Sequence, residues 1–198
     1  MCGISGFISK RRITLEDLTA MNDTMYHRGP NDSGVEIYDG AGGYAVGFAQ
    51  RRLSIMDLSP LGHQPMHAAD KRVSVVFNGE IYNFQELKKE FPGIRFAPSV
   101  IRRSFWLPMK MGIDCVSRFN GMFAIALYDR DAQEVYLVRD LHRQEASLLL
   151  GGRGKSGLCL RVKADPGVPG LDRKLNPDIL PVFCTSSIFR SRIRYLNR

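Results

Sequence analysis

Met1-Cys2-Gly3-Ile4-Ser5-Gly6-Phe7 opens the chain, and the rest of the sequence is read outward from it. Removal of Met1, which the small Cys2 side chain permits, leaves a thiol and a free α-amine on one residue. An unperturbed thiol titrates near ~8.5 and an α-amine near ~7.7–8.0, so a nucleophile and a suitable base would share one Cα. Residues 3–8 alternate and predict a strand that begins almost at the terminus. Taken alone, Cys2 reads equally well as a cysteine without a role, so its meaning depends on the residues further along the chain.

Downstream, Thr14 and Asp17 form an acidic version of the capping box, with Leu15, Leu18, Met21 and Met25 on one face of the predicted helix. The turn cluster His27–Gly34 ends that helix. Residues 35–38 and 44–49 read as a hairpin around a glycine-rich loop. Residues 73–77 read as a short buried strand that ends at Asn78-Gly79-Glu80. Residues 82–90 are predicted helical with Asn83 as cap, and residues 121–129 and 134–139 form the clearest hairpin. Antiparallel strands with few helices point to a layered α+β domain.

The net charge of +8 raises the question of nucleic-acid binding. Residues 1–95 balance 11 Lys and Arg against 11 Asp and Glu, whereas residues 141–198 carry 11 against 4. The excess lies where no stacking aromatics or helical stripe accompanies it, which argues against a nucleic-acid partner. No apolar run approaches the roughly 18 residues of a membrane span. Cys2, Cys115, Cys159 and Cys184 show no paired or metal-type spacing, so reduced thiols and a cytoplasmic location are expected. Gly151-Gly152-Arg153-Gly154-Lys155-Ser156 resembles a phosphate-binding loop, but Leu149 stands where its first glycine is required.

Five stretches follow one another along the chain: Met1-Cys2-Gly3-Ile4, His27-Arg28-Gly29-Pro30, Arg52-Leu53-Ser54-Ile55, Gly62-His63-Gln64-Pro65-Met66 and Phe77-Asn78-Gly79-Glu80-Ile81-Tyr82-Asn83. Arg118-Phe119-Asn120-Gly121-Met122-Phe123-Ala124 and Arg139-Asp140 continue the series. In order and spacing they resemble the class II glutamine amidotransferase domain, most of all the N-terminal glutaminase of glutamine-hydrolysing asparagine synthetase. The resemblance implies an N-terminal-nucleophile hydrolase fold, an αββα sandwich of two antiparallel sheets. It implies that Cys2 attacks the side-chain amide of L-glutamine while the Cys2 α-amine handles the proton. Asn78 and Gly79 match the oxyanion hole, Arg52 the residue that binds the substrate carboxylate, and Glu80 an acidic residue near the substrate amine. Leu53, Ile55 and Met56 would complete the pocket wall through backbone groups. His27 and His63 read as turn and loop organisers, and Arg51 as a surface arginine. In isolation, Asn78-Gly79 also reads as a type I′ hairpin turn.

By the same resemblance the glutaminase needs no cofactor, while ATP and Mg²⁺ belong to a missing or separate synthetase domain. The expected division is residues 1–163 for the amidotransferase domain, with 2–95 and 112–140 well matched, then a degraded tail or the start of a synthetase domain over 164–198. Residues 96–111 and 141–163 depart from the family pattern, and the first lacks its aspartate ligand for the substrate amine. Codons for residues 100–112 and 142–163 can be chosen so that a shifted frame restores the family sequence, which predicts two frameshifted segments. The alternatives to an active glutaminase are an inactive remnant, a different N-terminal-nucleophile hydrolase, or an amidotransferase domain serving another acceptor.

Overall fold

The computed structural model describes residues 2–10, 12–55, 58–90 and 113–140, together with the strand backbones of 148–152, 155–159 and 191–194. The elements in chain order are β1 (Gly3–Ser9), α1 (Leu15–Asp23), β2 (Asp32–Asp39), β3 (Ala45–Arg52), β4 (Met66–His67), β5 (Val73–Ile81), α2 (Phe84–Lys89), β6 (Gly121–Asp129), β7 (Glu134–Arg139), β8 (Leu148–Gly152), β9 (Lys155–Cys159) and β10 (Ser191–Arg194). One antiparallel sheet runs β2-β3-β1-β9-β8 and the other β10-β7-β6-β5-β4.

The alternation along each strand decides what the sheets enclose. Ile4 and Ile8 of β1 with Val46 and Phe48 of β3 meet Val76, Ala124, Ala126 and Tyr128 of the second sheet. The opposite face of the first sheet carries Phe7 and Ala49 against Leu18, Met21 and Met25. The opposite face of the second carries Val75, Phe77, Phe123 and Ile125 against Phe84 and Leu87 of α2. This is the predicted sandwich of two antiparallel sheets between helices. Every residue of β1 is buried because both faces of the strand are covered. Each fully buried Ile, Val or Phe in these layers stabilises the fold by about 1.5–3 kcal/mol.

The capping box forms as predicted: Thr14 Oγ1 accepts from the Asp17 N–H at 3.1 Å, and the Thr14 N–H donates to Asp17 Oδ2 at 2.9 Å. Leu15, expected on the core stripe, is 53% exposed, because α1 meets the sheet through Leu18 and Met21 further along. The hairpin of β2 and β3 and that of β6 and β7 both form. Asn83 does not cap α2 with its side chain. Its Nδ2 donates to the Arg118 carbonyl and its Oδ1 accepts from the Asn120 N–H, both at 2.9 Å, which ties the helix start to the approach to β6.

Two expectations need larger correction. Strand β5 does not end at Phe77: it pairs with β6 through Ile81, with Asn78 opposite Ala124 and Gly79 opposite Phe123. Asn78-Gly79 is therefore mid-strand and not a hairpin turn; glycine at φ +140° lets the backbone follow the ladder there. The region after Leu141, read as departing from the family pattern and then as a degraded tail, contributes β8 and β9 to the first sheet and β10 to the second. Backbone ladders require no amphipathic pattern, which is why the sequence did not announce them. Gly151-Gly152 and Lys155-Ser156 fall in the paired strands β8 and β9. Residues 96–111 and most of 160–198 lie outside the described residues, as does the first proposed frameshift segment up to residue 112; the second, 142–163, is described only at the strands β8 and β9. Among the described residues no helix is long and apolar enough to cross a membrane.

Candidate active site

Strand parity brings the predicted residues together. Gly3 pairs with Arg51 and Ile4 with Gln50, so continuing the register sets Cys2 opposite Arg52, both on the face that looks toward the second sheet. Val76 lies on the inner face of β5, and Asn78 and Glu80 follow it at intervals of two. Both β1 and β3 pack across from β5.

Cys2 is half-buried and its sulfur sits against the chain that leaves β3. The Leu53 N–H donates to Cys2 Sγ at 3.3 Å, and Sγ lies 3.7 Å from the Leu53 carbonyl. Arg28 Nε donates to the Cys2 carbonyl at 2.9 Å, fixing the peptide that carries the thiol. The sequence pattern assigns Arg28 no role; its place in the His27-Arg28-Gly29-Pro30 turn, which packs beside the start of β1, is the signal that could have found it.

Arg52 is 3% exposed, an uncommon state for an arginine, and its Nη1 donates to the Ser59 carbonyl at 2.8 Å. Gly62 lies flat against the guanidinium: a Cβ built there would stand 2.2 Å from Nη2 and 2.3 Å from Cζ. The neighbouring Arg51 points to the other face. It is not a free surface residue, since it pairs with Asp23 and lies over the Tyr26 ring at 5.2 Å. Strand alternation separates the two arginines.

Two residues beyond Gly62, Gln64 is fully buried and bonded to Phe77 on β5. A two-residue span reaches at most about 7 Å, so this segment ties the Arg52 guanidinium to the stretch leading into Asn78-Gly79. Asn78 is 2% exposed, and Glu80 is partly exposed. The buried Asp140 accepts from the Phe123 N–H through Oδ2 at 3.3 Å, beside the strand partner of Gly79. His63 Nδ1 lies 2.9 Å from Asp32 Oδ2, a loop-to-strand tie of the organising kind expected, while His27 is exposed. Ile55 is 73% exposed, and Met56 lies outside the described residues. Neither Cys2 nor Cys115 is in a disulfide.

A profile of the glutamine amidotransferase domain matches residues 1–145. The chain belongs to the glutamine amidotransferase domain family. This amidotransferase domain is 36% identical over 155 residues to a putative glutamine-hydrolysing asparagine synthetase of Methanocaldococcus jannaschii, a match that takes in 71% of this chain and 30% of that protein. It is 38% identical over 146 residues to asparagine synthetase 2 of Bacillus subtilis, covering 71% of this chain and 19% of that protein. The chain thus spans less than a third of the length of these relatives. In fold it is similar to the glutamine phosphoribosylpyrophosphate amidotransferase of B. subtilis, with a TM-score of 0.67 at 13% identity over 83% of this chain and 43% of that one.

Proposed function

We propose that this domain hydrolyses L-glutamine to glutamate and ammonia in the cytoplasm, with Cys2 as nucleophile. The observation that carries the reading is the Cys2 thiol seated on the Leu53 N–H directly after the buried Arg52, on the inner face that β5 packs across. With Met1 removed, the Cys2 α-amine takes the thiol proton. The thiolate attacks the glutamine δ-carbon: a C–S bond forms and the carbonyl π pair moves onto oxygen. The Asn78 side-chain amide and the Gly79 N–H receive that oxyanion, which requires donors already in place. Collapse re-forms the carbonyl and expels ammonia, which takes its proton from the α-ammonium. Water then cleaves the γ-glutamyl thioester to glutamate and restores the thiol.

Arg52 offers its guanidinium fork to the substrate α-carboxylate, Glu80 accepts from the α-amine, and Leu53, Ile55 and Met56 line the wall. Ammonia then passes to an ATP-dependent synthetase that makes asparagine from aspartate, a reading supported by relatives named as glutamine-hydrolysing asparagine synthetases. The glutaminase steps above use only this domain's own groups, and ATP and Mg²⁺ belong to that synthetase part.

The test is ammonia release from glutamine by the purified chain and by Cys2→Ala, with mass spectrometry of the N-terminus. Turnover confined to the Met1-processed, Cys2-bearing protein is expected. Equal rates for the two proteins would remove the catalytic assignment and leave the inactive remnant as the reading.

A further inference from the structure

The second sheet ends its ladder in an unusual way. Strand β4 is two residues long, with Met66 opposite Val75 and His67 opposite Ser74. Continuing that register would set Gln64 against Phe77 and Gly62 against Gly79. The backbone does not continue it. Instead the Gln64 side chain takes the place of a strand peptide: Phe77 N–H donates to Gln64 Oε1 at 2.6 Å, and Gln64 Nε2 donates to the Phe77 carbonyl at 3.1 Å. Pro65, without an N–H, stands where the ladder changes from backbone to side chain. Gly34 of β2 makes room from the opposite sheet, since a Cβ there would lie 1.7 Å from the Gln64 carbonyl oxygen.

The consequence falls on Gly79. In β5 the even residues bond toward β6, as the Tyr82–Asn120 and Arg130–Arg72 bonds show, while Val73 and Phe77 bond toward the β4 edge. Alternation directs the Gly79 N–H to that same edge, one step past Gln64 and toward Gly62 and Arg52. Had the backbone ladder run on, residue 62 would occupy that N–H.

We propose that Gln64 is a positioning residue of the glutaminase: its side-chain amide closes the β4–β5 ladder at Phe77, sets the Phe77–Gly79 backbone and leaves the Gly79 N–H open to the oxyanion. The role rests on the proposed glutaminase activity. It acts through Gly79, without contact to substrate.

The test compares the full-length chain with Gln64→Leu, which removes both bonds, and with Gln64→Glu, which keeps an acceptor and loses the donor. Amide hydrogen exchange reads the clamp: Phe77 should exchange roughly ten- to hundredfold faster in Gln64→Leu while Val76, bonded toward β6, is unchanged. Turnover is normalised to the number of Cys2 thiols alkylated by an electrophilic glutamine analogue, which removes unfolded protein from the count. On that basis kcat should fall about a hundredfold with KM for glutamine held within about threefold. Affinity for the γ-aldehyde analogue of glutamine, which adds reversibly to the thiol as a tetrahedral adduct, should fall by the same factor as kcat. Gln64→Glu should lie between the two. Unchanged Phe77 exchange in both variants would overturn the clamp. Released Phe77 with full kcat per reactive thiol would overturn the positioning role while leaving the glutaminase standing. Absence of ammonia from the unsubstituted chain would overturn the glutaminase reading and this role with it.

Discussion

Replacing Gly79 with alanine tests whether Asn78-Gly79 is a strand segment held against β6 or an open turn. Its geometry imposes two costs. Gly79 has φ +140°, where a side chain is strained by about 1–3 kcal/mol. Its Cβ would also stand 2.0 Å from the Met122 carbonyl oxygen and 2.6 Å from Phe123 Cα. Those atoms are backbone of a paired strand and cannot yield without parting β5 from β6, a strain of about 1–3 kcal/mol more. The total of roughly 2–6 kcal/mol is a large share of a typical stability of about 5–15 kcal/mol. Urea unfolding followed by circular dichroism should show the midpoint lowered by about 1–3 M. Gly43→Ala is the control: its φ is +75°, but nothing lies within 4 Å of its Cβ position, so it bears the conformational cost alone. A Gly79→Ala midpoint no lower than that of Gly43→Ala would refute the argument.

Three further outcomes are expected. Gly62→Ala should displace the buried Arg52 guanidinium and raise KM for glutamine about tenfold or more with a smaller change in kcat; steady-state ammonia release checks it, and an unchanged KM counts against Arg52 as the carboxylate anchor. Arg28→Ala leaves the Cys2 carbonyl without its 2.9 Å donor and should lower kcat/KM by about tenfold or more, read in the same assay. Burial pushes the Tyr38 hydroxyl well above the ordinary phenol value. A raised folded-state value means its contribution is complete below about pH 10 and is lost as pH rises beyond it, by up to about 1.4 kcal/mol per pH unit. Tyr38→Phe should therefore flatten the alkaline fall in urea midpoint, and parallel curves would refute this.

Local chemistry made parts of the protein legible in one dimension. The Thr14–Asp17 box, the β6–β7 hairpin with its Asp129 turn and the strand after Cys2 depend on neighbours in sequence, and each formed as read. Candidate site residues were legible because their chemical types recur at a recognisable spacing. Less legible was anything set by a distant partner. Asn-Gly favours a tight turn locally, yet pairing with Ala124 and Phe123 holds it in β5. Arg51 and Arg52 look alike in sequence and are sent to opposite faces by alternation in a strand covered on both sides.

The sequence by itself determined which chemical groups are present, the order of β1, β2, β3, β5, β6 and β7 along the chain and the family to which the domain belongs. Only the tertiary structure decided that β8 and β9 join β1, that Gly62 lies on Arg52, and that the Gln64 amide replaces a strand peptide at Phe77. The reason is physical: ladder bonds and close backbone approaches are made between residues far apart in the chain, and their energies depend on register and distance, which no local pattern encodes.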